Sequence, residues 1–255
     1  MSKTKILTLF SGLLLVGAIS FMPTDVWAQS MTLDLGGGAG EGSVAGRVVQ
    51  LIIMLTVLSL APSILMMMTS FTRIVVVLSF LRTALGTQQS PPNTVLLSLA
   101  LFLTFFIMAP TIQASYDQGI KPLMNGSMAE MKAVEAAAQP FKKFMLKHAR
   151  EKDLMLFMGF AKEKNIEEPM ATPMQVVIPA FMISELRRAF EIGFLIFLPF
   201  LIIDMVTASI LMSMGMMMLP PVMIALPFKI IFFVLVDGWH LIAGSLIQSY
   251  GVIPS

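Results

Sequence analysis

The chain has 255 residues, of which 56% are hydrophobic and 13% charged, with a formal net charge of +2 and a mean hydropathy of +0.85. A soluble domain carries about 25% charged residues, so this chain lacks the polar surface to face water alone. The near-neutral balance, with no basic stripe among aromatics, excludes nucleic acid as a partner. The absence of cysteine and the presence of only His148 and His240 exclude disulfides, thiolate chemistry and a multi-histidine metal site within one chain; no cofactor is expected.

Lys3 and Lys5 precede an apolar run from Ile6 to Phe21 that stops at Pro23 and Asp25, and Val26-Trp27-Ala28 offers a signal-peptidase site. Residues 1–28 are therefore expected to be a cleaved signal peptide, leaving Gln29 outside the cytoplasm. Residues 29–47, with Gly36, Gly37, Gly38 and Gly40, read as a flexible leader. No strand precedes these glycines and no Gly-Lys-Ser/Thr follows, which argues against a phosphate loop.

Four long apolar stretches follow: Val48 to about Thr69, Thr94 to about Ile112, about Phe190 to Ser213, and Val222 to about Ile247. Each approaches the roughly 20 residues that a spanning helix needs. The fold class expected is an all-α integral membrane protein with four long apolar helices, in partly broken hairpins, plus a small helical periplasmic segment. Residues 48–112 form the first hairpin. Its connection carries Arg73, Arg82 and the turn Gln88-Gln89-Ser90-Pro91-Pro92; positive charges alone suit a cytoplasmic loop. Residues 113–188 are then periplasmic and hold most of the lysines. Amphipathic helices are expected to start at Pro140 and at Asp153, with Phe144 and Phe157 packing between these helices or at a subunit interface. Residues 189–255 form the second hairpin.

That hairpin breaks the rules for a helix in lipid. Glu185, Arg187, Arg188 and Glu191 crowd its entry, Asp204 lies mid-helix, and Lys229 and Asp237 lie in the last stretch. Charges at membrane depth face protein or water and have partners. Pro199, Pro220, Pro221 and Pro227 kink or break helices and free backbone carbonyls, so the region must be packed in protein. Lys229 is expected to pair with Glu185 first and Asp204 second. With the tip near Leu219, a rise of about 1.5 Å per residue puts Lys229 about 14 Å and Asp204 about 23 Å from it, which favours a partner from another subunit. The tip itself, from Met212 to Pro221, is apolar and sulfur-rich. Methionine fills core gaps, but Gly215 and Pro220-Pro221 make this a loop and not a helix face. Met214, Met216, Met217 and Met218 thus suit a constriction inside an assembly. No Gly-x-Ser-x-Gly, His-Glu-x-x-His or Gly-x-x-x-x-Gly-Lys occurs, so no enzyme chemistry is expected. His240 beside Asp237 and Trp239 reads as an interfacial cluster.

Several segments resemble one family. LAPSILMMMTSFTR (Leu60–Arg73), RTALGTQQSPPN (Arg82–Asn93), PAFMISELRRAF (Pro179–Phe190), the methionine-rich tip, and Pro227-Phe-Lys229 to Asp237-Gly-Trp239 are similar to the FliP family of flagellar type III export-gate subunits, whose virulence-secretion counterparts are called SctR. The signal peptide and Thr87 to Asn93 point to the flagellar branch. The resemblance spans about residues 45–250. It implies a pentamer of this chain, completed by a FliR-like subunit and encircled by FliQ-like subunits, in the inner membrane at the flagellar basal body. Through it, unfolded flagellar polypeptides would cross, driven by the proton motive force and an ATPase elsewhere among the export apparatus proteins. It also implies that the methionine tip is a pore seal and that the helices are bent and lifted partly out of the bilayer. The competing classes are a virulence injectisome subunit, a small-solute transporter, for which the two halves show no internal repeat, and a membrane hydrolase, which lacks a motif.

Overall fold

The computed structural model describes residues 44–87, 89–161, 169–216 and 219–251, and every regular element in them is helical. The expected signal peptide, most of the leader, and Met217 and Met218 lie outside the described residues. The chain divides after Leu51; before that point only the start of helix α1 (Val44–Met67) is described, and the packed body is built from residues 52–251.

The centre of that body is a helix where the sequence suggested a charged loop. Helix α2 (Phe71–Leu85) follows α1 after a short turn and ends at Gly86, whose left-handed φ of 77° lets its N–H bond to Thr83 O. Ile74, Val77, Leu78, Leu81, Ala84 and Leu85 are buried. Their spacing makes one apolar stripe at helical period, and this stripe, not Arg73 and Arg82, decides the environment of residues 71–85. The expected cytoplasmic connection is reduced to the segment around Pro91-Pro92, before helix α3 (Asn93–Ser115).

Helix α3 runs on through a π-helical turn (Tyr116–Ile120) and helix α4 (Lys121–Met124), giving a rod of 32 residues. The π turn lies hard against helix α5 (Glu130–His148). A Cβ on Gly119 would stand 2.5 Å from Ala133 O and 2.6 Å from Ala137 Cβ, so only glycine permits this approach. Ser115 Oγ donates to Ala137 O at 2.8 Å and holds the same contact. Helix α5 begins ten residues before the expected amphipathic start and passes through Pro140. Helix α6 (Glu151–Ala161) follows it.

Helix α7 (Met174–Ser213) is 40 residues long and continuous through Pro179 and Pro199. It crosses the boundary at 188/189 between the expected periplasmic segment and second hairpin, and Pro199 does not break it. Its first half packs on α2, α5 and α6, burying Val177, Ala180, Phe181, Ser184, Glu185 and Ala189 completely. Gly193 lets the Phe80 ring approach to within 2.5 Å of where a Cβ would stand. The chain then turns at Met214–Pro220 into helix α8 (Pro221–Leu235) and helix α9 (Gly238–Gln248).

Among the described residues, two helical rods are long and apolar enough to cross a membrane, Asn93–Met124 and Met174–Ser213, and α8 with α9 makes a third if that bent pair is one span. The fold is all-helical as expected, with two or three candidate spans among the described residues beside the apolar helix α1. The bend of 62° between α8 and α9 does not fall at a proline. It falls at Asp237, which takes a left-handed φ of 50°, next to Gly238, where a Cβ would stand 2.1 Å from the Phe233 ring. Aspartate tolerates that backbone region better than most residues, and glycine makes room for the ring.

Candidate functional site

Two ion pairs hold the body together at opposite ends of α2. At its first turn, Arg73 is fully buried, and its Nε donates to Glu185 Oε2 at 2.9 Å while Nη2 donates to Oε1. The two parallel bonds are the bidentate fork that guanidinium makes with carboxylate. Nη1 donates to Ser249 Oγ at 2.8 Å, and the guanidinium carbon lies 3.8 Å from the centroid of the Tyr250 ring. The Tyr250 hydroxyl donates to Glu185 Oε2. Burial, with the Glu185 charge beside it, pushes the Tyr250 phenol well above its ordinary range, so it stays a donor. Each nitrogen of the Arg73 guanidinium and both oxygens of Glu185 thus have a partner, the condition under which a buried pair is tolerated.

Aromatic rings close this hub. Phe144 stacks on Tyr250 at 5.9 Å and meets Phe181 edge-on at 5.9 Å, and His148 lies 4.7 Å from Phe144 and 5.0 Å from Tyr250. Burial lowers the His148 pKa to about 4, aided by the charges of Arg73, Lys147 and Arg188, so the ring is neutral at physiological pH. Phe144 is half-buried and packs against the chain's core where α5 lies along α7. Phe157 is half-buried, and the neighbouring Phe160 is exposed. Beside the hub, Ser184 Oγ donates to Asp153 Oδ2 at 2.6 Å, and Arg150 grips the same carboxylate at 2.8 and 2.9 Å. Burial opposes ionisation of Asp153, but these bonds win and hold its carboxyl below the usual range.

At the other end of α2, Lys229 Nζ donates to Asp204 Oδ2 at 2.7 Å and to Ala84 O at 3.1 Å. Lysine here sits at the helix C-terminus, where the backbone carbonyls concentrate negative charge. The partner of Lys229 is therefore Asp204 of the same chain, and Glu185 is taken by Arg73. The earlier distance argument placed the tip at Leu219. Helix α7 ends at Ser213 and α8 starts at Pro221, so the midpoint of the two helix ends falls before Leu219. Asp204 lies nine residues before Ser213 and Lys229 eight after Pro221, so the two side chains come nearly level. Asp204 Oδ1 is buried without a hydrogen-bond partner among the described residues. Arg187 is exposed and paired with Glu191 at 2.9 Å; Arg188 is half-buried, and Asp237 is exposed.

The α7–α8 hairpin beyond this clamp is apolar and largely uncovered. Its inner side encloses a cleft of about 420 Å³ lined by Ile202, Val206, Ile210, Ile224 and Phe228 among others. Met212, Met214 and Met216 are exposed at the tip, and nothing approaches within 4 Å of a Cβ built on Gly215. The hub and the clamp are packed; among the described residues of the tip, Met212, Met214 and Met216 stay exposed.

The FliP family model matches residues 54–246. The chain belongs to the FliP family. That match contains Arg73, Glu185, Asp204, Lys229 and the methionine tip, while Ser249 and Tyr250 lie just beyond it. Among relatives, the chain is 61% identical over 234 residues to the flagellar biosynthetic protein FliP of Caulobacter vibrioides, covering 91% of this chain and 87% of that protein. It is 60% identical over 202 residues to the FliP protein of Bacillus subtilis, covering 79% and 91%. To that of Aquifex aeolicus it is 52% identical over 227 residues, covering 88% and 94%. The FliP family is a family of flagellar biosynthetic membrane proteins and not of enzymes. Sequence reasoning placed Glu185, Asp204 and Lys229 among the charges that matter and missed Arg73, Ser249 and Tyr250. A lone arginine inside an apolar stripe of helical period was the available signal for the first; nothing in the local sequence marks the other two.

Proposed function

We propose that the chain is a core subunit of the flagellar type III protein export gate, lining the conduit by which unfolded flagellar proteins cross the inner membrane. The observation that carries this reading is the contrast along α7. Its charged first half is largely covered by the chain itself, whereas among the described residues most of its apolar second half and of the methionine tip stays exposed, with Phe200 and Leu211 buried against the rest of the chain. An apolar loop that cannot face water and is too irregular for lipid calls for neighbours that converge on it. A pentamer of this chain, with FliR-like and FliQ-like subunits around it, supplies them; Met214, Met216, Met217 and Met218 then meet on one axis as the seal. In this arrangement residues 113–188 face the periplasm.

The test is the size and content of the complex purified in mild detergent, together with secretion of flagellar proteins by cells lacking the gene. A large assembly holding several copies and small hydrophobic partners, with secretion lost on deletion, is the expected result. A monomer or dimer that restores secretion contradicts it. The mature chain is expected to begin at Gln29, and the intact mass of the purified membrane form decides this: a mass that includes residues 1–28 makes them part of the working protein.

A further inference from the structure

Between the buried hub and the bare half of α7 lies an open cavity of about 450 Å³ lined by Arg73, Arg150, Arg188, Glu191, Ile192 and Ser249. Its charges do not balance. Arg73 is committed to Glu185, Arg150 to Asp153, and Arg187, one residue before Arg188, to Glu191. Four guanidinium groups thus meet three carboxylates, and Arg188 is left without a salt-bridge or hydrogen-bond partner among the described residues. A half-buried guanidinium with unmet donors favours an anion. Its planar fork suits the paired oxygens of a phosphate better than a point charge would.

The position of the cavity narrows the choice of anion. On the same side of α7 as Arg188 and Ile192, the exposed Leu195 and Ile202 follow at helical spacing, so the cavity stands at the end of an apolar stripe. A basic pocket at such a junction matches a lipid with its headgroup on the charges and its chains on the apolar face. We propose that this cavity binds the phosphate of an anionic phospholipid, with Arg188 as the principal contact and Arg150 and Arg73 supplying the surrounding field. A zwitterionic lipid brings its own cation into a pocket that already has one positive charge in excess, and should be disfavoured. This inference rests on the membrane location of the proposed function and not on the export activity.

The test uses the assembled full-length protein in nanodiscs of equimolar phosphatidylglycerol and phosphatidylcholine, with the lipids retained after transfer to detergent identified by mass spectrometry. The wild type should keep phosphatidylglycerol over phosphatidylcholine by about tenfold, the value of one charge-assisted contact. Arg188→Gln should erase most of that preference, Arg188→Lys should keep part of it, and Lys132→Gln, on the exposed face of α5, should leave it unchanged. Equal retention of the two lipids by the wild type overturns the proposal, and needs no variant to fold. So does an unchanged preference in a folded Arg188→Gln protein. Loss of the preference in excess inorganic phosphate would make a soluble anion the occupant, and an Arg188 contact to a neighbouring copy's carboxylate would make it a protein interface; both overturn the lipid. Secretion is read separately, so failure here leaves the export reading standing.

Discussion

The two halves of helix α7 solve opposite problems. From Met174 to Gly193 the helix has small or interior-facing residues at helical spacing, and its one buried charge, Glu185, is met on all sides by Arg73 and Tyr250. From Phe194 to Ser213 the same helix is apolar around most of its circumference, and Phe194 is 65% exposed. Its one charge, Asp204, meets Lys229 while keeping a side chain that is 38% accessible. The first half is finished by the chain; the second awaits other surfaces. One helix therefore couples a rigid anchor to an unfinished, assembly-dependent end, and damage to the two ends should differ in kind.

The largest effect is expected at the anchor. Glu185→Ala leaves Arg73 buried and unpaired, which costs about 3–5 kcal/mol. The purified protein should melt far lower or fail to accumulate in the membrane. Replacing Arg73 and Glu185 together by methionine removes both charges and should recover most of that loss; if the double variant is as unstable as the single one, the hub does not act as a pair. Next comes Gly119→Ala, whose methyl collides with the backbone of α5. Overpacking of this kind costs about 1–3 kcal/mol, visible as a lowered melting temperature with α3 and α5 forced apart; an unchanged melting curve would contradict the close approach. At the unfinished end, Lys229→Ala should cost about 1–3 kcal/mol within the chain, because Asp204 and the Ala84 carbonyl both lose their donor. A charge swap, Lys229→Asp with Asp204→Lys, should restore most of that, and a larger loss confined to the assembled complex would mean that neighbours bury the pair.

The contrast also explains what was legible in the sequence. The bare half of α7 and the methionine tip could be read directly, since a long apolar run and an apolar Gly- and Pro-bounded loop need no tertiary information. The charges Glu185, Asp204 and Lys229 stood out because their surroundings are apolar. Their pairing did not, because it depends on where the α7–α8 turn is centred, and a midpoint before Leu219 brings Asp204 nearly level with Lys229. Residues 71–85 were misread for a related reason. Arg73 and Arg82 suggested a loop, yet the stripe Ile74, Val77, Leu78, Leu81 is stronger evidence, since an arginine can be buried when a distant carboxylate meets it. Tyr250 and Ser249 reach Arg73 from about 176 residues away, a distance that no local pattern encodes.

The central claim is that the uncovered tip seals a conduit when copies of the chain converge. An apolar ring narrow enough to dewet blocks ions, and unbranched methionine can deform around a passing polypeptide and close behind it. The most direct measurement is membrane potential, or uptake of a small impermeant solute, in cells producing the gate with Met214, Met216, Met217 and Met218 all replaced by alanine. The account predicts a marked leak while the complex still assembles and secretion falls less than the seal does. An intact complex with no added leak would contradict it and leave those methionines as ordinary packing.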